Sequence, residues 1–302
     1  MTKAEYRMPK SEYRIPDFAF IFNILINGNE VYFTSTGSRN LLIIRLVRTT
    51  SIYSPLNGNL TGRVTQVIGG PDKPVDQYVT VASHMAIAHN SIIRGLNSIY
   101  LQAPHVKPED YKDFIGYSLC WYQMITNHHQ GEENRLFPQI EEKTEKGLME
   151  TNVEQHHAFE SGVEALNTYL RSLLPSNCSS FSGSKLVTII DNFAPALTTH
   201  LADEIAFLLS LRRYGDDLPL LKLVTAEFQK AGVAAIRTEG GHMFFVNSDR
   251  GFEGGLWKDF PPLPAPVRFV ITRVFGSWNS AWWKFAPLDY DGNRKDLYAL
   301  GG

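Results

Sequence analysis

Histidine is followed four residues later by glutamate at three separate places in this chain: His129/Glu133, His156/Glu160 and His200/Glu204. An overlapping pair, His128/Glu132, doubles the first inside the stretch NHHQGEENRLFP. One such pair is ordinary, because side chains four apart are neighbours on a helix surface. These pairs differ in their company. At spacings of three and four, His129 and Glu133 fall in line with Ile115, Leu119, Leu136 and Ile140, and His156 and Glu160 with Met149, Val153, Val163 and Leu170. His200 and Glu204 fall in line with Ile190, Phe193, Leu197, Phe207 and Leu211, and a further apolar series, Ala82, Met85, Ile92, Leu96 and Ile99, carries His89. Such spacing marks the buried stripe of an amphipathic helix. Four imidazoles and three carboxylates are therefore expected in one interior.

Burying three carboxylates is unfavourable unless cations pair them, and none of the four stripes contains Lys or Arg. Two divalent ions supply the missing charge, with a glutamate from each of two helices bridging them and histidines at the outer positions. The expected metal ligands are His89, His129, Glu133, His156, Glu160, His200 and Glu204. Imidazole and carboxylate donors without thiolate suit zinc, iron and manganese alike. His128, Glu132 and His157 lie one residue round their helices, where a solvated role or one that orients a ligand histidine is expected.

Helical texture runs from about Pro74 to Tyr214 and breaks at Pro104 to Pro108, at Lys146-Gly147 and from Leu174 to Gly183, which leaves four helix-length segments. The expected fold is an all-α core, a four-helix up-down bundle over residues 76–215. Residues 1–75 are expected to be a strand or irregular extension, with Asn27-Gly28 signalling a hairpin within AFIFNILINGNEVYFTS. Residues 216–302 are expected to form one helix, LPLLKLVTAEFQKAG, and then an aromatic, Pro-rich coil that packs on the bundle. Pro138 and Pro195 should kink their helices. Trp278, Trp282 and Trp283 should pack the tail onto the bundle through their large buried area, with walling of a substrate pocket as the other role open to them.

Composition excludes several classes. A net charge of −2, with no dense Lys/Arg stripe, gives no basis for nucleic-acid binding. The apolar run FAFIFNILI is far short of the ~20 residues that cross a bilayer. The N-terminus MTKAEYRMPK lacks the apolar region of a secretory signal, so a cytoplasmic location is expected. Cys120 and Cys178 are expected to be isolated thiols.

With His89, HHQGEENRLFP, QHHAFE and HLADEI in this order, the sequence resembles the hemerythrin-like, or HHE cation-binding, family over about Ser83 to Tyr214. AHNSIIRGLNSIYLQAPHV, DNFAPAL and WWKFAPLD are similar to the fungal branch of that family. The resemblance implies a bundle of hemerythrin type in which His89 and His129 serve one metal, His156, Glu160 and His200 the other, and Glu133 and Glu204 bridge. Glu160 stands where an oxygen carrier has histidine, and Glu204 follows His200 by four residues where the carrier has five. More carboxylate and less imidazole favours a Lewis-acid or redox site over oxygen carriage.

Among member classes with a defined reaction, the sequence is most similar to cyclopenase, a zinc-dependent enzyme. That implies contraction of the epoxide-bearing benzodiazepinedione cyclopenin to the hydroxyquinolone viridicatin, a lyase reaction on a small aromatic substrate. In it the metal is a Lewis acid, and Glu160, His128 or Glu132 moves a proton. Neither a membrane nor a protein partner is implied. The alternative is a non-catalytic di-iron protein that binds or senses oxygen or metal.

Overall fold

The computed structural model describes residues 22–27, 30–35 and 76–301, apart from 177, 237–239, 262 and 278. Strands β1 (Phe22–Asn27) and β2 (Glu30–Ser35) pair antiparallel with Asn27 opposite Glu30, so the expected hairpin forms. The rest of the expected N-terminal extension, and Trp278, lie outside the described residues.

Helix α1 (Gln77–Gln102) begins where Asp76 Oδ1 accepts the Tyr78 amide at 2.8 Å, satisfying a donor that the first turn leaves unpaired, and it ends just before Pro104. Helix α2 (Tyr111–Gly131) runs without interruption into a π-helical turn, Glu132–Leu136, and then into the short α3 (Phe137–Lys143). Helices α4 (Glu150–Leu173) and α5 (Gly183–Ser210) complete the bundle, with α1 and α4 both packed on α5 and α2 packed on α1 and α4.

Pro138 follows directly on the π turn, at the start of α3. Pro195 lies inside α5, which continues through it.

After the bundle come α6 (Leu220–Ile236), α7 (Gly240–Phe245) and α8 (Ala265–Phe269), followed by turns and coil. This tail docks on the bundle by burying Trp282, Trp283, Lys284 and Phe285. Gly116 of α2 makes room for the first of these: a Cβ there would lie 2.3 Å from the Trp282 ring. The Lys284 ammonium pairs with Asp110 and, at 3.1 Å, with Asp113, and Gln102 donates to the Phe285 carbonyl at 3.2 Å. Deeper in the bundle, the buried Trp121 indole donates to the Ile92 carbonyl at 2.8 Å. Cys120 and Cys178 are buried and are not joined in a disulfide.

Candidate metal centre

Four helices and the π turn converge on two groups of side chains that share one member. His129 of α2, Glu132 of the π turn, His156 of α4 and His200 of α5 each offer a ligand atom within 4.8 Å of the others. His89 of α1, His128 of α2, Glu132 and Glu204 of α5 do the same. Glu132 thus stands between the two groups. Glu204 also reaches both, with Oε2 at 3.2 Å from His89 Nε2 and 3.9 Å from His200 Nε2. All seven are buried except His128, whose side chain is 14% exposed.

The outer nitrogens of three imidazoles are spoken for, and this fixes what the inner nitrogens present. His89 Nδ1 lies 2.7 Å from the Leu201 carbonyl, which can only accept, so Nδ1 carries the proton. His156 Nδ1 donates to Glu133 Oε1 at 2.6 Å. His200 Nδ1 donates to Gln155 Oε1 at 3.3 Å, and the Gln155 amide is oriented by its own donation to Asp203 at 2.9 Å.

Each Nε2 therefore turns a bare lone pair inward. The His156 and His200 Nε2 atoms face each other at 3.0 Å, and His89 Nε2 faces the Glu204 carboxylate at 3.2 Å. Lone pair against lone pair, and lone pair against carboxylate, are repulsive in a buried site unless a cation lies among them.

Burial supplies the same demand. It holds His128, His129 and His200 well below the usual imidazole range, with the neighbouring imidazoles adding to the effect, so these rings do not become the missing cations. Burial, with Glu204 and Glu133 adding to it, pushes the Glu132 carboxyl well above its ordinary value. Among the buried atoms with no hydrogen-bond partner are both oxygens of Glu132, both of Glu204 and Nε2 of His129.

The donor set fits a divalent metal of the zinc, iron or manganese kind. Two ligand nitrogens at about 2.1 Å from one ion stand about 3 Å apart at a right angle and about 3.4 Å apart at the tetrahedral angle. The observed spacings are 3.0 Å for His156/His200 and 3.1 Å for His89/His128.

The structure brings His89, His129, His156, His200 and Glu204 to one region but groups His129 with His156 and His200, not with His89 as expected, and it places the other two expected ligands outside both groups. Glu133 is one-third exposed and belongs to neither group, serving instead as the hydrogen-bond partner of His156. Phe137 N–H bonds to the Glu132 carbonyl, five residues back, and this under-winds the helix. Leu136 and Ile140 then stay on the core face only with Glu132, not Glu133, between them and His129.

Glu160 is exposed on α4, outside both groups. The inward step after His156 is taken three residues on by Phe159, whose ring centroid lies 5.0 Å from that of His129 and 5.6 Å from that of His200. His128 and Glu132, expected as outer residues, stand inside the groups, whereas His157 is exposed. Sequence reasoning did not single out Gln155 or Leu201. A backbone carbonyl leaves no trace in residue type, and Gln155 is one polar residue among several on α4. Among the described residues, no helix is long and apolar enough to cross a membrane.

Residues 80–211 match the hemerythrin HHE cation binding domain. The chain is similar to the dimeric xanthone biosynthesis cluster protein of Cryptosporiopsis sp. (strain 8999), with 35% identity over 230 residues, 76% of this chain and 86% of that protein. No solved structure matches the chain.

Proposed function

Since the chain belongs to the hemerythrin HHE cation binding domain family, we propose that it is a metal-dependent enzyme of fungal secondary metabolism, acting on a small aromatic molecule. The observation that carries the metal dependence is the facing of the His156 and His200 Nε2 lone pairs at 3.0 Å, beside carboxylates with no hydrogen bonds. The biosynthetic role is supported by the similar protein, whose name places that protein in a dimeric xanthone cluster.

The finer proposal is a zinc enzyme of cyclopenase type, a lyase that contracts an epoxide-bearing benzodiazepinedione to a hydroxyquinolone. It rests on the resemblance of the motifs and on a donor set without thiolate. Bound in either group, the metal would supply Lewis acidity toward an epoxide or carbonyl oxygen. The chain's own residues do the rest. Leu201, Glu133 and Gln155 hold the protons of His89, His156 and His200 on Nδ1 and keep Nε2 available. Phe159 and Phe137 flank His156, the latter stacked at 5.7 Å between centroids, and exclude water from that side.

Glu133 also opens onto a groove of about 460 Å³ lined by Phe137, Pro138, Met149 and Val153, with Glu141, Glu150 and Lys146 at its margin. Its apolar walls can take a flat aryl molecule beside the charged margin, and it is where we place the approach of the substrate. Glu160 is exposed and outside both groups, so Glu133, which lines the groove and holds the His156 proton, is the better candidate to move a proton there.

The sharing of Glu132 by both groups favours a second reading, a dinuclear iron protein that binds oxygen or metal without catalysis. Elemental analysis with visible absorption separates the two. Colourless protein with zinc, and turnover of cyclopenin, supports the enzyme; two irons per chain with a visible band supports the alternative. Absence of metal from every preparation sinks both.

A further inference from the structure

We propose that α6, which is not one of the four bundle helices, sets how many metal ions the bundle holds: the Arg135–Glu227 ion pair fixes the π turn that aims Glu132 into both ligand groups. The inference rests on the metal reading above and concerns residues that reading does not use.

The π turn is the feature in need of a cause. Regular α winding is the easier path for this stretch and would favour Glu133 as the inward carboxylate. A π turn persists where its surroundings hold it, and such turns are frequent at functional sites.

Arg135 lies within the turn and Glu227 lies on α6. Arg135 Nε donates to both Glu227 oxygens, at 3.0 and 2.8 Å, and Nη2 donates to Oε1 as well. Forked guanidinium–carboxylate contact fixes orientation as well as distance; the Glu227 side chain is 12% exposed and that of Arg135 41%.

A third residue was fitted to the same contact. Gly131 immediately precedes the turn, and a Cβ there would lie 2.6 Å from Glu227 Oε1 and 3.0 Å from Arg135 Nη2. The carboxylate thus seats against bare backbone. Inside the turn, Asn134 Nδ2 donates to the Gln130 carbonyl at 2.9 Å and Gln139 Nε2 to the Arg135 carbonyl at 2.7 Å, so side chains satisfy carbonyls along the distorted stretch. Glu132, whose oxygens lack hydrogen-bond partners and lie 3.2 Å from His128 Nε2 and 3.7 Å from His156 Nε2, is one residue from Gly131 and three from Arg135. Without the clamp the stretch relaxes toward α winding, Glu133 turns inward, and the carboxylate shared by the two groups is lost.

The test is titration of metal-free full-length protein with Zn²⁺ against a competing chelator, for wild type, Arg135→Ala, Glu227→Ala and Gly131→Ala, with thermal unfolding of each. Wild type is expected to take two ions per chain. Each variant should take one, or bind the second at least tenfold more weakly, and Arg135→Ala combined with Glu227→Ala should lose no more than either alone. Gly131→Ala is the discriminating variant: helix propensity favours alanine, so its Tm should hold or rise while the second ion is lost, which a merely structural role does not produce.

Two ions bound with unchanged affinity in all the variants would overturn the proposal. Amide exchange at Phe137, measured without metal, gives a second readout. It should quicken in Glu227→Ala, and unchanged exchange overturns the clamp. If wild type binds no metal, the metal reading fails, and the exchange result still decides whether the clamp holds the turn.

Discussion

Glu133 Oε1 stands 2.6 Å from His156 Nδ1, so the carboxylate that the spacing of the sequence assigned to the metal holds a ligand histidine from behind. A carboxylate in that position fixes the tautomer and raises the basicity of the other nitrogen. Glu133→Ala should therefore weaken metal binding by about ten- to a hundredfold without changing the number of ions bound. Glu133→Gln, which keeps an oxygen acceptor, should lose less. Chelator competition on both variants checks the order.

Glu132 and Glu160 are predicted to behave oppositely. Glu132→Leu should abolish metal uptake at one or both groups. In the metal-free protein it should raise stability by roughly 1–4 kcal/mol, because it replaces a buried carboxyl that has no hydrogen-bond partner with an apolar side chain of similar size. Glu160→Ala should leave metal content unchanged and stability within about 0.5 kcal/mol, as expected of an exposed residue away from the site. Elemental analysis and thermal unfolding of the two variants settle the register of both helices.

Acid sensitivity has a source away from the metal centre. His84 of α1 is enclosed by Phe260, Trp257 and Phe228, with ring centroids at 4.5, 4.9 and 6.5 Å, and burial lowers its imidazole to about 4. Between that value and the ~6.5 of an unfolded chain, the unfolded state binds the extra proton. The contribution of His84 is therefore complete above pH ~6.5 and is lost as pH falls toward 4. His84→Phe should flatten the fall of Tm over this range relative to wild type. An identical slope in both proteins would remove His84 as the source.

Docking of the tail hangs on one missing Cβ. Gly116→Val places carbons where the Trp282 ring lies, 2.3 Å from the first of them, and should destabilise by about 1–3 kcal/mol, as overpacking does. Trp282 and its neighbour Trp283 are buried, so displacement should also red-shift the indole emission, which checks that the loss comes from tail release.

The amino-acid sequence alone determined which four helices bring histidine and glutamate into one interior. The apolar stripes name the interior faces, and His89, His129, His156, His200 and Glu204 lie where those stripes meet. The pairing of Phe22–Asn27 with Glu30–Ser35 and the burial of the WWKF segment follow from composition in the same way.

What only the tertiary structure decided was the choice between neighbours at equal claim. At 3.6 residues per turn, the position three after a histidine falls about 60° behind it and the position four after falls about 40° ahead. Glu132 and Glu133, or Phe159 and Glu160, are therefore both near the stripe, and small changes of winding select one. For Glu132 the selecting contact is Glu227, from a helix 92 residues beyond Arg135. The partners of the three Nδ1 atoms are likewise set across helices: a carbonyl of α5, a carboxylate from the π turn and an amide of α4. Helical periodicity is local and legible in a string of residues, whereas the winding of one turn and the tautomer of one ring depend on what packs against them.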